Sequence, residues 1–179
     1  MKDTNHIRDE ILVLRAQAGP DGFDALVARW QPALWRHAHR MTRDPQQAWD
    51  IVQEVWCAIV RRLDRLEDPA AFPRWAFQIV TNKYRDWLRK EGRRRRAMAS
   101  YERQPEPAGP PPPACAGVEG ALARLGRESR QLVALCYEEE FSVREIAEIL
   151  GIKEGTVKSR LHRARLELRG YLEEPSHEE

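Results

Sequence analysis

The side chains with the clearest chemistry in this chain are Lys and Arg residues concentrated in two stretches. One is KEGTVKSRLHRAR, from Lys153 to Arg165, and the other runs from Arg85 to Arg103. Such cations neutralise phosphates, so both stretches indicate contact with nucleic acid. The formal net charge of the whole chain is only +2, from 30 Lys and Arg against 28 Asp and Glu. The basic charge is therefore segregated into particular surfaces.

The carboxyl-terminal stretch has the pattern of a helix-turn-helix. Ser142 and Glu145 have the spacing of a capping box, which predicts a first helix from about Val143 to Leu150. Gly151 can take the left-handed conformation of a sharp turn, and a second helix begins at Glu154 or Thr156. Residues of core type at the expected spacing are Ile146, Ala147, Leu150, Ile152, Val157 and Leu161. The second helix of this motif enters the major groove of DNA.

The outward side of that second helix carries the predicted DNA contacts. Lys158, Ser159 and His162 face outward near its start, where base edges are read, whereas the arginines suit phosphates. An amphipathic surface helix without a ligand could carry similar charge. Because the cap, the turn and the core pattern agree with one another, we favour DNA binding.

The amino-terminal part predicts three more helices. The first is capped by Asp21 and ends at the break from Thr42 to Pro45. The second runs from about Pro45 to Leu63 and has an apolar stripe of Val52, Val55, Trp56, Ile59, Val60 and Leu63. Asp50, Gln53 and Glu54 share its other face, since residues three and four apart are neighbours on a helix. After a turn at Asp68 and Pro69, the third helix begins near Ala71. No segment has the alternation of a confident strand, so the fold class is all-α.

Aromatic residues accompany the basic end of that third helix. Trp75, Tyr84 and Trp87 beside cations would suit the stacking of single-stranded bases. Helical aromatics are more often core residues, and this second interpretation stays open.

A proline-rich segment separates two small helical domains. QPEPAGPPPPACAG, from Gln104 to Gly117, is predicted to be a semi-rigid linker that extends about 3.1 Å per residue. Leu122, Leu125, Leu132, Val133 and Leu135 are expected to mark one helix after it. The predicted organisation is an extension (1–20), a helical domain (21–98), the linker (99–117), a helix-turn-helix domain of three or four winged-helix-like helices (118–173) and a tail (174–179).

Several classes of function are disfavoured by the composition. The apolar runs fall far short of the roughly 20 residues of a spanning helix, and the start lacks a signal peptide, so we expect a cytoplasmic protein. Cys57, Cys115 and Cys136 are widely spaced and the histidines are scattered, which predicts reduced thiols, no metal and no cofactor. No convergent nucleophile, base or metal set is visible, so we expect no enzymatic activity.

Two of these motifs resemble a known family. SVREIAEILGIKEGTVKSRLHRARLELRGYL is similar to the fourth conserved region of bacterial RNA polymerase sigma factors of the sigma-70 family, extracytoplasmic-function type. DPQQAWDIVQEVWCAIVRRL and AFPRWAFQIVTNKYRDWLRK are similar to the second region. The resemblance, from about Phe23 to Leu172, implies a subunit that binds core polymerase, directs it to promoters and promotes initiation. It also implies an anti-sigma protein as a regulating partner.

The resemblance implies roles for particular residues. Asp50, Gln53 and Glu54 would dock on the clamp coiled coil of the largest polymerase subunit. The loop from about Asp64 to Ala71 would capture a base flipped from the non-template strand of the minus-ten element. The implied minus-ten set is Asp64, Arg65, Arg74, Asn82, Lys83, Arg85 and Arg89. The implied minus-thirty-five set is Thr156, Lys158, Ser159, Arg160, His162, Arg163 and Arg165. The linker would thread the RNA exit path.

A stand-alone helix-turn-helix regulator is the alternative. Such a protein, usually a dimer on a pseudo-palindrome, would explain the carboxyl-terminal block. It would leave the face of Asp50, Gln53 and Glu54 without a role. Tight sequence-specific DNA binding by the free protein would favour this alternative.

Overall fold

The described part of the chain is built from helices joined by short turns. This computed structural model describes residues 2–98 and 117–173, so the linker up to residue 116, including Cys115, and the tail lie outside the described residues. The helices are α1 (Lys2–Ala18), α2 (Pro20–Thr42), α3 (Pro45–Val60), α4 (Phe72–Met98), α5 (Val118–Arg124), α6 (Arg127–Tyr137), α7 (Val143–Leu150) and α8 (Glu154–Glu173). Two 3₁₀ turns, Leu63–Arg65 and Pro69–Ala71, lie between α3 and α4. No strand occurs in these ranges, and the all-α prediction is confirmed.

Contacts group the described residues into two compact units. The first contains the residues up to Asp86 together with Glu148–Gly151, and the second contains the remaining described residues. The domain limits 21–98 and 118–173 stay predictions.

Apolar faces of α2, α3 and α4 form the core of the first unit. The fully buried side chains include Leu26, Leu34, Met41, Ile59, Phe72 and Phe77. Aromatic rings meet edge to face, Phe23 against Trp56 at 5.7 Å and Trp30 against Phe72 at 6.0 Å between centroids. Helical periodicity predicted the part of this core that lies on α3, and the break between Thr42 and Pro45 is confirmed.

Three details of the predicted helices are wrong. The second predicted helix, α3, ends at Val60 and does not reach Leu63, which is buried from the following 3₁₀ turn. Val60 was predicted to belong to the apolar stripe but is 57% exposed. Asp21 does not cap α2, because Pro20 occupies the first turn and the helix already starts after Gly19. Asp21 lies in the first turn instead, where its charge still suits the helix dipole.

The helix α1 packs on α2 through a close approach of the two backbones. Gly22 is buried, and a Cβ atom there would overlap the backbone of Arg15 and Ala16. Asp9, only 8% exposed, accepts hydrogen bonds from Nε and Nη2 of Arg29 at 3.0 and 3.3 Å. Such two-pronged, charge-assisted pairs fix geometry as well as adding stability. The region predicted as an extension therefore contains a packed helix.

The hydrophobic pattern gave no indication of this helix. Its buried side includes Asp9 and Val13, whereas Ile7, Ile11 and Leu14 are all exposed. The most exposed side of α1 therefore carries these apolar residues, so apolar spacing does not identify the buried side of this helix.

The helices of the second unit meet around α8. Leu125, Val133 and Ala164 are buried together, and Leu122, Leu168 and Tyr171 pack against them. The single helix expected across Leu122 to Leu135 is wrong, because the chain is extended at Leu125 and α6 starts after Gly126. Arg130 explains the break. Its guanidinium donates to the carbonyls of Leu122 and Leu125, both at 3.0 Å, and so satisfies the end of α5.

The predicted turn chemistry of the helix-turn-helix is confirmed. The Glu145 carboxylate accepts hydrogen bonds from the backbone N–H of Ser142 at 2.8 Å and from its hydroxyl at 2.6 Å. The backbone N–H of Glu145 donates to Ser142 Oγ at 3.3 Å, which completes the capping box. Gly151 has φ of 57°, the left-handed conformation expected between α7 and α8.

One titratable group is sealed inside the first unit. His37 is fully buried, and its Nε2 lies 3.2 Å from Thr81 Oγ, whose hydroxyl donates to the Phe77 carbonyl. Because that hydroxyl hydrogen is already used, Nε2 is the protonated ring nitrogen and donates to Thr81. Burial, with a smaller contribution from the nearby Arg40 charge, lowers the pKa of His37 from 6.5 to about 3.

Substitution of Gly22 tests the close approach of α1 to α2. Gly22→Ala should lower the free energy of unfolding by about 1–3 kcal/mol, the usual cost of overpacking a tight contact. Gly92→Ala is the matched control, because a Cβ there meets open space in α4 and alanine favours helix. Urea unfolding followed by circular dichroism measures both. Equal stability of the two variants would contradict the packing described.

The buried histidine predicts a specific acid sensitivity. The folded pKa is lowered, so the unfolded chain takes up the proton first as pH falls through 6.5. The stabilisation is complete above pH 6.5 and is lost towards pH 3, at about 1.4 kcal/mol per pH unit. Relative to His37→Gln, which keeps a donor for Thr81, the unchanged protein should lose stability over this window. Parallel pH profiles from urea titrations would contradict this.

Candidate nucleic-acid interface

The exposed side of α8 presents a mixed polar and basic surface. Its buried face consists of Val157, Leu161 and Ala164. At 3.6 residues per turn, Ser159, His162 and Arg163 lie opposite that face, with Lys158 on one flank and Arg160 on the other. All five are exposed, whereas Thr156, also predicted as a contact, is half-buried. These five residues therefore lie away from the buried face of α8.

Two of these cations are held by α6. Arg160 Nη1 lies 2.9 Å from a Glu128 carboxylate oxygen. Arg165 Nε donates to Tyr137 Oη at 2.7 Å, with its guanidinium 5.7 Å from the tyrosine ring centre. Sequence reasoning missed Glu128 and Tyr137, because nothing in their own spacing connects them to α8. Exposed pairs of this kind contribute little stability, so a phosphate can take the place of the acid.

The polar face of α3 lies beside its buried stripe. Asp50, Gln53 and Glu54 are exposed. Gln46 donates to Asp50 at 3.4 Å, and Asp44 caps the helix by accepting from the backbone N–H groups of Gln46 and Gln47. The three predicted polymerase contacts are thus displayed on a capped, rigid helix.

Lys83 belongs geometrically with this α3 face. Its Nζ lies 2.9 Å from Glu54 Oε2. The resemblance placed Lys83 in the minus-ten set and Glu54 in the polymerase set, and the structure brings the two together. Lys83 also lies on a different side of α4 from the other members of its predicted set, about 100° from Asn82.

The rest of the predicted minus-ten set on α4 shares one face. Arg74, Asn82, Arg85 and Arg89 lie within about 80° of the helix circumference, and Gln78 lies among them. Asn82, Arg85 and Arg89 are exposed and Arg74 is half-buried. Of the nearby aromatics, Tyr84 is a buried core residue, whereas Trp75 and Trp87 are half-buried. The core interpretation is therefore confirmed for Tyr84.

A small cavity lies where the loop before α4 meets that helix. Asp64 and Arg65, predicted contacts in this loop, are exposed, and Asp68 accepts from the backbone N–H of Ala70 at 3.0 Å. The cavity, of about 190 Å³, is lined by Arg62, Arg65, Leu66 and Trp75. Cationic and aromatic walls of this kind suit an unstacked base. Leu66 lies within the predicted loop, whereas Arg62 lies outside it, although the Arg61-Arg62 pair before the loop was a visible signal.

In the described ranges, no group of three His, Cys, Asp or Glu side chains is placed to hold a metal ion. Cys57 is exposed and Cys136 half-buried, and both are free thiols. None of the helices in these ranges has the length and apolarity needed to cross a membrane.

Comparison with known proteins identifies two family regions. Residues 26–94 match sigma-70 region 2, and residues 117–168 match sigma-70 region 4. The chain is 34% identical over 170 residues to the ECF RNA polymerase sigma factor SigE of Mycolicibacterium smegmatis, covering 90% of this chain and 66% of that protein. It is 35% identical over 157 residues to SigL of Mycobacterium tuberculosis, covering 84% of this chain and 88% of the relative.

Two solved structures are also similar to this chain in sequence and in fold. CnrH, in its complex with the cytosolic domain of CnrY, has 30% identity and a TM-score of 0.62, over 94% of this chain and 99% of that one. The sigma factor RpoE, in its complex with the anti-sigma factor NepR from Bartonella quintana, has 26% identity and a TM-score of 0.67, over 87% and 99%. With both regions matched in order, and with relatives similar over most of its length, this chain belongs to the sigma-70 family and, within it, to the ECF RNA polymerase sigma factors.

Proposed function

We propose that the chain binds core RNA polymerase, directs it to a class of promoters and promotes opening of the start site, without a reaction of its own. The observation that carries this is the presence, in one chain, of both sigma regions. The polar face of the first lies on α3, which Asp44 caps, and that of the second lies on α8. The place of action follows from that of the polymerase, the bacterial cytoplasm. An anti-sigma protein, the class of partner named for RpoE, would regulate it.

Polymerase binding is assigned to Asp50, Gln53 and Glu54. Their exposure on α3, next to buried Ile51 and Val55, gives a rigid acidic surface for a basic partner helix. The ion pair with Lys83 holds the Glu54 carboxylate in place. Lys83 thus supports the docking surface in this proposal, and its predicted DNA contact is secondary.

Promoter contacts are assigned to three surfaces. The cavity beside the loop would take a base flipped from the minus-ten element, with Asp64 and Arg65 at its edge. Arg74, Asn82, Arg85 and Arg89 on α4 would follow the melted strand, since cations and amides suit a single-stranded backbone. The α8 residues from Thr156 to Arg165 would read the minus-thirty-five duplex, with Ser159 and His162 nearest the base edges.

Charge reversal tests the polymerase surface. Asp50→Lys with Glu54→Lys should abolish co-purification with bacterial core polymerase, because two acids facing a basic helix become cations. Asp24→Lys, an exposed acid on α2, is the control and should leave the complex intact. Native mass measurement detects the complex.

A charge swap separates a docking role from a structural one. Glu54→Lys with Lys83→Glu restores an internal pair while still reversing the charge on α3. Binding should remain lost in this swap. Full recovery would mean that the Glu54–Lys83 pair only maintains the fold. If the Asp50→Lys, Glu54→Lys variant binds core polymerase as the unmodified chain does, the assignment of this surface to polymerase binding is wrong.

Salt dependence tests the duplex contacts. Lys158→Ala and Arg163→Ala should each weaken binding to a minus-thirty-five duplex and lower the slope of log affinity against log salt by about 0.9 per lost phosphate contact. Arg169→Ala, further along α8, serves as the comparison. Fluorescence anisotropy at several salt concentrations gives the slopes. Unchanged slopes in both variants would remove α8 from the DNA interface.

A further inference from the structure

The loop that borders the cavity is tied to α1 by one side chain. Gln17 Nε2 lies 2.8 Å from the Leu63 carbonyl oxygen and 2.8 Å from the Leu66 carbonyl oxygen. These two carbonyls bracket the first 3₁₀ turn. A carboxamide nitrogen has two hydrogens, so it can donate to both at once. The reverse orientation would point an amide oxygen at two carbonyl oxygens, which fixes the assignment of the nitrogen.

The loop also has supports of its own, among them the buried side chain of Leu63. Within the turn, Arg65 N donates to the Arg62 carbonyl at 3.0 Å and Leu66 N to the Leu63 carbonyl at 3.1 Å. Beyond it, Leu66 is extended and leads towards Asp68. Short 3₁₀ segments have poor hydrogen-bond geometry and are easily remodelled. The two bonds of Gln17 add an anchor from a packed helix to this segment.

The helix that carries Gln17 is itself firmly placed. The close backbone approach at Gly22 and the Asp9–Arg29 pair fix α1 on α2. Gln17 lies close to the end of α1, one helical turn beyond buried Val13. The α1–α2 packing thus helps to fix the position of Gln17.

The second acceptor of Gln17 belongs to a wall of the cavity. Leu66 lines that cavity together with Arg62, Arg65 and Trp75. The Gln17 bond to the Leu66 carbonyl holds the backbone of this wall residue, and Trp75 on α4 lines the same cavity. The bond to Leu63 anchors the turn in which Arg65 lies. A displacement of either carbonyl would change the width of the cavity.

We propose that Gln17 is a positioning residue for the capture of an unstacked base of promoter DNA, and that α1 acts as the support of the capturing loop. Gln17 touches no DNA in this proposal; it acts through Leu63 and Leu66. The inference rests on the proposed function, because it assumes that the cavity receives a base.

The test uses the full chain in complex with core polymerase. A single-stranded oligonucleotide is first selected from a random pool by the unmodified complex, and a second copy has an abasic site at the position that contributes most. Gln17→Met keeps side-chain length and removes both donors, and Gln17→Glu presents a carboxylate oxygen to the carbonyls. Gln31→Met, on α2, is the matched control.

The expected result is a loss confined to the captured base. Gln17→Met should bind the intact strand about tenfold more weakly, a loss within the range for one stacked base, and bind the abasic strand as before. Gln17→Glu should lose more, and Gln31→Met nothing. An intact-to-abasic ratio unchanged in Gln17→Met would overturn the positioning role while leaving the proposed function standing. Failure of the unmodified chain to bind polymerase would instead overturn the proposed function.

Hydrogen exchange gives a second readout that does not need DNA. Amides of residues 63–71 should exchange faster in Gln17→Met than in Gln31→Met, whereas the exchange rates of amides in α2 and α3 should be the same in both variants. Equal exchange in the loop would overturn the proposal even if DNA binding were weakened.

Discussion

The contact of the α1 and α2 backbones at Gly22 is the constraint on which the geometry of the first unit depends. Only a residue without a Cβ lets two helices approach so closely. The approach brings Asp9 within reach of Arg29 and Gln17 within reach of the loop before α4. A feature of backbone packing on one side of the bundle thus places the segment that borders the cavity.

The helices α3 and α8 each have a buried face that fixes them and an exposed face that displays charged residues. On α3, buried Ile51 and Val55 hold the helix whose other side displays Asp50 and Glu54. On α8, buried Leu161 and Ala164 do the same for the basic side. Because the buried faces determine orientation, the charged residues need no specific packing of their own. Rigid helices are better supports for binding residues than loops are.

Several cations of the proposed interfaces already have partners in the free protein. Lys83 is paired with Glu54, Arg160 with Glu128, and Arg165 with Tyr137. Such exposed pairs contribute little to stability, so breaking them on binding costs little. They nevertheless hold long side chains in defined positions, which reduces the side-chain entropy lost when a phosphate or a partner helix binds. The loop before α4 is held in a different way, because its support is the neutral side-chain amide of Gln17, on a helix outside the charged surfaces.

Local patterns in the sequence were sufficient for most of the helices and for the helix-turn-helix. Periodicity, the Ser142–Glu145 box and Gly151 act within a few residues, so they can be read without knowledge of the fold. The same holds for the exposed side of α3 and for the basic side of α8. Tertiary structure alone decided what depends on residues distant in the chain: the placement of α1, the Lys83–Glu54 pair and the hold of Gln17 on the loop. The break between α5 and α6 at Leu125 is local, since Arg130 follows it closely in the sequence. The packed side of α1 carries a carboxylate while apolar residues face outward, so hydrophobic spacing does not mark the buried face of this helix. The close approach at Gly22 and the Asp9–Arg29 pair determine which face is buried.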